Sequence, residues 1–359
     1  PDFETMAVPA RPLVPWVEAV HDRISIEIMR GCPQVCRFCH AGNTKRPLRY
    51  RSVERVLEIA EQAYAATGYD EIGLLSLSTA DYPRLPELAR QVNERFGKRM
   101  VNISFPSLRV DRMLRHIPWM ANSVRKSGLT IAVEAGSERL RRAIRKKVTD
   151  GNLMEGVRAA YEAGWKRVKL YFMVGFPGET PADIEGIVDT SRAIAEERRQ
   201  LGRPPAFVNV SLSWLVPKPF TPMQWMAQPR AEYFQEVRQQ LGARLRQGPK
   251  YIRLRMHDVR RSILEAVFAR GDRRLGVVIE EAWRQGARLD AWDENFDHAI
   301  WQQAFTTCGV DPDWYAHRER SFDELLPWDH IGQHLPRSYL ERACTDLCCT
   351  DSVKDQAAT

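Results

Sequence analysis

Between residues 18 and 230 the chain alternates short apolar, β-rich runs with amphipathic segments of helical period. The runs are Ile24–Met29, Glu71–Leu77, Met100–Phe105, Leu129–Val133, Arg167–Val174 and Ala206–Trp214. Between the first two, Val53, Val56, Leu57, Ala60 and Tyr64 recur at helical spacing. Another helix carries Leu153, Val157 and Tyr161 and is expected to end at Gly164, which tolerates the left-handed conformation. A third is predicted to start at Thr180-Pro181-Ala182-Asp183: Thr180 can cap it, Pro181 suits its first turn, and Asp183 complements its dipole. Six strands alternating with helices predict parallel βαβ units with right-handed crossovers. Such a set closes either as an open doubly wound sheet or as an incomplete barrel. In both, ligands gather at the carboxyl ends of the strands.

Beyond about residue 230 the pattern becomes helical and rich in Arg and Gln, as in Ala231–Arg246 and Arg260–Ala269. We therefore expect three parts. These are a linker over 1–17, a core over 18–230, and a helical extension over 231–359 whose polar end, Asp351–Thr359, is frayed. The chain opens on Pro1, so a further segment is expected upstream.

The chain has 359 residues, 44% of them hydrophobic and 28% charged, enough for a substantial core in the manner of a soluble globular protein. There is no apolar run of membrane-spanning length and no signal-like start, so a cytoplasmic protein without membrane association is expected. The net charge of +7 leaves nucleic acid open as a partner, although the Arg residues are scattered along helices and form no compact tract.

The seven cysteines are grouped: Cys32, Cys36 and Cys39; Cys308 alone; and Cys344, Cys348 and Cys349. Grouping of this kind points to metal binding rather than a disulfide framework. The loop after the first strand reads Gly31-Cys32-Pro33-Gln34-Val35-Cys36-Arg37-Phe38-Cys39-His40, a C-x3-C-x2-C spacing. Thiolates are the usual ligands of iron–sulfur clusters, and three of them leave one iron of a cubane open to a substrate. A zinc site completed by His40 and an electron-carrying cluster completed by Cys308 are the alternatives.

This motif, with Phe38 before its last cysteine and in a loop after the first of six β/α units, resembles the radical-SAM superfamily. The resemblance implies a partial (β/α)6 TIM-like barrel with a helical C-terminal region. It implies a 4Fe–4S cluster on Cys32, Cys36 and Cys39, whose open iron is chelated by S-adenosylmethionine. One-electron reduction then gives methionine and a 5′-deoxyadenosyl radical that abstracts hydrogen from a substrate. A donor such as flavodoxin or ferredoxin supplies the electron.

The other strand ends carry residues suited to that cosubstrate. After the second strand, Ser78, Thr79 and Asp81 stand where many members have Gly-Gly-Glu. Asp81 can accept from the methionine ammonium or can instead cap the helix over Pro83–Phe96. After the fourth, Glu134 is the ribose candidate, with Lys146 and then Arg145 as candidates for the carboxylate. Ser137 is a possible helix cap, and Arg145-Lys146-Lys147 also fits a solvated face. After the fifth, Val174-Gly175-Phe176-Pro177-Gly178-Glu179-Thr180 resembles a segment of the methylthiotransferase and coproporphyrinogen oxidase branches that lies near the adenine, with Gly175 and Pro177 as contacts. After the sixth, Pro217-Lys218-Pro219-Phe220-Thr221-Pro222 would shape a rim.

Val17–Ala41, Ser76–Pro83 and Pro327–Ile331 together resemble a bacterial radical-SAM family whose members often carry an upstream cobalamin-binding-like domain and a small partner domain, fused or encoded nearby. Cobalamin is then expected only with such an upstream domain. Members of that family usually end in a longer cysteine cluster than Cys344, Cys348 and Cys349, so these three read equally as free thiols on a loose tail. Three functions follow. The leading one is hydrogen abstraction from a substrate such as tRNA or protein. The others are cobalamin-dependent methylation of a small molecule, and a non-catalytic redox or scaffold role for the cluster.

Overall fold

The structure is a computed structural model that describes residues 2–348 apart from 18, 20, 21, 105–128 and 247. The ends of the run Met100–Phe105 and of the cysteine tail, Phe105 and Cys349, lie outside the described residues, as does the polar stretch 351–359.

All six predicted strands form. The first run breaks at Ile28 into β1 (Ile24–Glu27) and β2 (Met29–Arg30). The short helix α1 (His40–Thr44) and β3 (Arg49–Tyr50) follow. Then come α2 (Val53–Thr67), β4 (Glu71–Leu75), α3 (Leu85–Phe96) and β5 (Asn102–Ser104). The second half runs β6 (Leu129–Glu134), α4 (Glu138–Ala143), α5 (Asp150–Glu162), β7 (Arg167–Val174), α6 (Pro181–Gln200) and β8 (Phe207–Trp214). Strands β1, β4 and β5 pair in parallel, and so do β6, β7 and β8. The short strands β2 and β3 pair antiparallel.

The segment after residue 230 is not wholly helical. Helix α7 (Ala231–Arg246) leads into β9 (Ile252–Met256), which adds in parallel to β8 with Val208 opposite Ile252. Helices α8 (Val259–Ala269), α9 (Leu275–Arg284), α10 (His298–Cys308) and α11 (Pro312–Ala316) then build a separate small core around Val267, Val278 and Phe305. Helix α12 (Arg337–Cys348) returns to the barrel.

Strand period decides which face the helices cover. Along β7, Val168, Leu170, Phe172 and Val174 are buried and alternate with exposed Lys169 and Tyr171. The buried set shares one core with Val157 of α5, Ile187 of α6 and Val237 of α7, and that core extends to Ile26, Leu74 and Val56 in the first half. The helices therefore pack on one face of the parallel strands and leave the opposite face free, which is the architecture of a partial α/β barrel.

Local signals end the helices where expected. Ser52 Oγ accepts from Arg55 N and starts α2, and Gly68 at φ +68° stops it. Thr149 caps α5, and Gly164 follows at φ +102°. Thr180 and Asp183 form a reciprocal capping box at α6. No helix among the described residues is long and apolar enough to cross a membrane.

One close crossing locks the site end of the barrel. The loop after β6 passes α6 so tightly that a Cβ on Gly136 would lie 2.5 Å from the Ile187 nitrogen and 2.8 Å from the Gly186 carbonyl carbon. Backbone atoms cannot yield as side chains do, so Gly136→Ala is expected to cost about 1–3 kcal/mol, read as a lower urea midpoint. Gly276→Ala on α9, where an added Cβ meets nothing within 4 Å, should leave the midpoint unchanged or raise it. Equal midpoints for wild type and Gly136→Ala would contradict the crossing.

Candidate active site

The three clustered cysteines sit in the loop between β2 and α1, at the carboxyl end of the first strand. Gly31 begins the loop at φ +95°, and a Cβ there would press Leu48 Cδ2 at 3.1 Å. Arg46 holds the loop from outside, donating Nη2 to the Gln34 carbonyl at 3.2 Å and Nε to the Gly42 carbonyl at 3.0 Å. Cys39 is the capping residue of α1, and its sulfur accepts from Gly42 N at 3.3 Å.

All three thiols are half-buried. Burial pushes the Cys36 thiol up to about 11; Lys146 pulls it down, and Cys39, Glu134 and Cys32 push it further up. Three sulfurs, a carboxylate and an ammonium thus share one neighbourhood. Among the described residues, no three His, Cys, Asp or Glu side chains converge on the position of a single metal ion. His40 does not join the sulfurs; its ring lies 6.2 Å from that of Phe220.

Side chains from four strand ends meet this loop. Gln34 donates to Asp81 Oδ2 at 3.0 Å, and Ser78 Oγ donates to the same oxygen at 2.8 Å. The capping reading of Asp81 does not hold: α3 starts at Leu85 behind Arg84, which makes no side-chain cap, and Asp81 lies in a separate 3-10 turn, Thr79–Asp81.

At the end of β6 the register with β7 slips between Ala132 and Glu134. Glu134 takes φ +74°, a left-handed conformation costly for a residue with a Cβ. The slip and the turn re-aim its side chain, as bulges do next to sites. Its Oε1 meets Lys146 Nζ at 2.9 Å, and both side chains are only 13% exposed. The basic run is therefore not simply a solvated face: Lys146 turns inward, while Arg145 reaches Asp346 at 3.3 Å. Ser137 does cap α4, accepting from Leu140 N at 3.1 Å.

After β7, Gly175 stands at φ +106° with the Phe234 ring 2.9 Å from where its Cβ would be. Glu179 Oε2 accepts from Gly175 N at 2.7 Å and from the Tyr233 hydroxyl at 2.6 Å. Burial raises the Glu179 carboxyl to about 7 against those two bonds. Phe176 is buried, with its ring 5.8 Å from that of Phe38 and tilted 60° to it, and Pro177 follows half-buried. After β8, Gln224 accepts from Phe220 N at 2.8 Å and from Trp328 Nε1 at 2.8 Å, which fixes the proline-rich rim.

Helix α12 closes over this end. Arg37, inside the cysteine motif, donates to the Ala143 carbonyl at 2.7 Å and meets Asp346 of α12 at 3.2 Å, while its amide donates to the Ile144 carbonyl at 3.0 Å. Cys344 and Cys348 thus lie on a packed helix rather than on a loose tail, and burial pushes the Cys344 thiol up to about 12. Cys308 lies on α10 and reaches the Val277 carbonyl at 3.6 Å. Motif reading alone missed Gln34, Arg37 and the Glu179–Tyr233 contact. Gln34 and Arg37 lie between motif positions, and Tyr233 is 54 residues from its partner.

Residues 26–190 match the family model described as the radical SAM superfamily. An uncharacterised protein of Methanocaldococcus jannaschii, MJ0966, is 30% identical over 292 residues, covering 77% of this chain and 61% of its own. A ribosomal protein uS12 methylthiotransferase, RimO, of Acidithiobacillus ferrooxidans is 26% identical over 196 residues, covering 48% and 42%. The chain thus spans less than two thirds of each relative. Among solved structures, the radical S-adenosylmethionine methyltransferase TsrM of Kitasatospora setae, with cobalamin and a [4Fe-4S] cluster bound, aligns at TM-score 0.45 and 19% identity, over 56% of this chain and 38% of its own. The cobalamin-dependent radical enzyme OxsB aligns at TM-score 0.45 and 14% identity, over 80% and 46%.

The Glu179 carboxyl gives a pH test of this geometry. Its value rises on folding from 4.5 to about 7, so the folded chain holds the proton more tightly than the unfolded one. The stabilisation is complete below pH 4.5 and is lost as pH rises through 7; it amounts to about 3 kcal/mol. Glu179→Gln lacks it. The unfolding free energy of the variant minus that of wild type should therefore climb by about 3 kcal/mol between pH 4.5 and 8 in urea titrations. A flat difference would show that this carboxyl is not held as described.

Proposed function

The chain belongs to the radical SAM superfamily through residues 26–190, and on that premise we propose that it is an enzyme that cleaves S-adenosylmethionine reductively and uses the product to abstract hydrogen from a substrate. The observation that carries this reading is the shared neighbourhood of Cys32, Cys36 and Cys39 with the Glu134–Lys146 pair at the carboxyl ends of parallel strands. When bound, the 4Fe–4S cluster supplies one electron to S-adenosylmethionine, and hence a 5′-deoxyadenosyl radical.

In this reading the chain's residues bind and orient. Cys32, Cys36 and Cys39 hold three corners of the cluster. Asp81, fixed by Ser78 and Gln34, faces the methionine ammonium. Lys146 leaves part of its bond with Glu134 to meet the methionine carboxylate, and Glu134 accepts from the ribose hydroxyls. Phe38, Gly175 and Pro177, braced by Phe176 and by the Glu179 bond to Gly175 N, offer a flat surface to the adenine. Helix α12 and the proline-rich rim cover the loop and limit access of water. A purely electron-carrying cluster would want a fourth protein ligand. Against that stand His40 facing Phe220, Cys308 on a remote helix bonded to Val277, and Cys344 bonded within α12 to Cys348.

Anaerobic reconstitution followed by reduction should give 5′-deoxyadenosine from S-adenosylmethionine. Replacing Cys32, Cys36 or Cys39 by Ala should abolish iron binding and product together, whereas Cys344→Ala should keep both. Lys146→Ala should weaken S-adenosylmethionine binding about tenfold, in line with the 1.5–3 kcal/mol of a hydrogen bond to a charged group. A chain that carries an intact, reducible cluster and never yields the nucleoside would sink the proposal.

A further inference from the structure

The helix-free face of β6–β9 carries an ordered pattern that the cluster chemistry does not use. Register places Thr130, Lys169, Asn209 and Arg253 side by side on neighbouring strands, and Ala132, Tyr171, Ser211 and Arg255 in the next row. Lys169, Asn209, Arg253 and Arg255 are exposed. Six of these residues, from Lys169 to Arg255, line a cavity of about 1530 Å3.

Its cations outnumber its acids by six to five. Of the five acids that line it, four are engaged: Asp258 caps α8, Glu265 bonds Lys218, Asp290 accepts from Trp301 and Asp293 pairs with Arg261. Arg255 reaches Asp293 only at 3.9 Å. Among the described residues, Lys169 and Arg253 have no carboxylate within ion-pair reach; the Lys169 ammonium sits 4.8 Å from the Tyr171 ring centroid. Charges on an edge strand discourage unwanted strand pairing, which could account for β9. It cannot account for Lys169, because β7 is paired on both sides.

We propose that this face holds a phosphate ester of the substrate, gripped by Lys169 and Arg253 over Asn209, with a planar group resting near Tyr171. The inference rests on the reading of the barrel as a radical site and names the class of substrate for it. Strands lie about 4.8 Å apart, so the two cations flank Asn209 and their long side chains can close on one group. A phosphate, with up to two charges and three strong acceptor oxygens, satisfies both cations and the amide; a single carboxylate satisfies one cation well. Lys169 lies five residues below Val174, roughly 17 Å along the strand. The phosphate is therefore a handle remote from the abstracted hydrogen, where binding energy can be used to position the substrate.

Binding needs neither cluster nor S-adenosylmethionine, so it is measured on the cluster-free chain. The probes are a single-stranded RNA oligonucleotide, adenosine monophosphate and a penta-glutamate peptide. The RNA alone, or RNA and nucleotide together, should bind, with affinity falling as salt rises. The first result assigns the phosphate to a polynucleotide and the second to any phosphate ester. Lys169→Gln and Arg253→Gln should each weaken binding at least tenfold at unchanged melting temperature, and Lys169→Arg should restore it. Absence of binding by both phosphate probes, Gln variants that bind as wild type does, or displacement of the RNA by penta-glutamate at equal concentration would each overturn the proposal. A chain that binds RNA through these residues yet makes no 5′-deoxyadenosine would keep the phosphate site and overturn its assignment to a radical substrate.

Discussion

One buried carboxylate ties the site end of the barrel together. Asp183 is 2% exposed, yet it is held ionised: burial pushes its value up, and bonds from Ser137, Thr180 and Arg139 pull it below the ordinary range. Through Thr180 it starts α6, and through Ser137 it fixes the loop after β6 whose backbone crosses α6 at Gly136. That crossing sets where β6 ends and hence where the left-handed turn aims Glu134. Arg139 also reaches the Gly178 carbonyl at 2.8 Å, so the turn after β7 is registered against the same carboxylate. The ends of β6 and β7 are therefore one mechanical unit.

The electrostatics of the mouth follow from how few charges are buried there. Glu134 and Lys146 neutralise one another, so neither bears the full penalty of a lone buried ion. Arg37 spends its donors on the Ala143 carbonyl and on Asp346 instead of on the sulfurs beside it. The cysteine loop is thus surrounded by charges already matched elsewhere.

Much of this was legible in advance. The six apolar runs, the capping box at Thr180 and the terminating Gly164 are local signals, and each lies within a residue or two of where it was expected. Strand β9 was not legible, because Arg253 and Arg255 occupy its open face and leave only Ile252, Leu254 and Met256 to alternate; the segment reads as more of the Arg-rich helical region. The inward turn of Lys146 was only half visible, since a 12-residue separation across a turn carries no period. The bond from Tyr233 to Glu179 was invisible for the same reason at longer range. The Cys-x3-Cys-x2-Cys loop was the opposite case, for its spacing alone marked three cysteines of one loop as a candidate set.

The clasp between Arg37 and Asp346 joins residues 309 positions apart. At about 5–20 residues per second, the ribosome needs roughly 15 to 60 seconds after making Arg37 before its partner exists. Throughout that interval the thiols of the nascent chain stand without the helix that covers them. The helix that covers the cysteine loop is thus made after every described strand of the barrel.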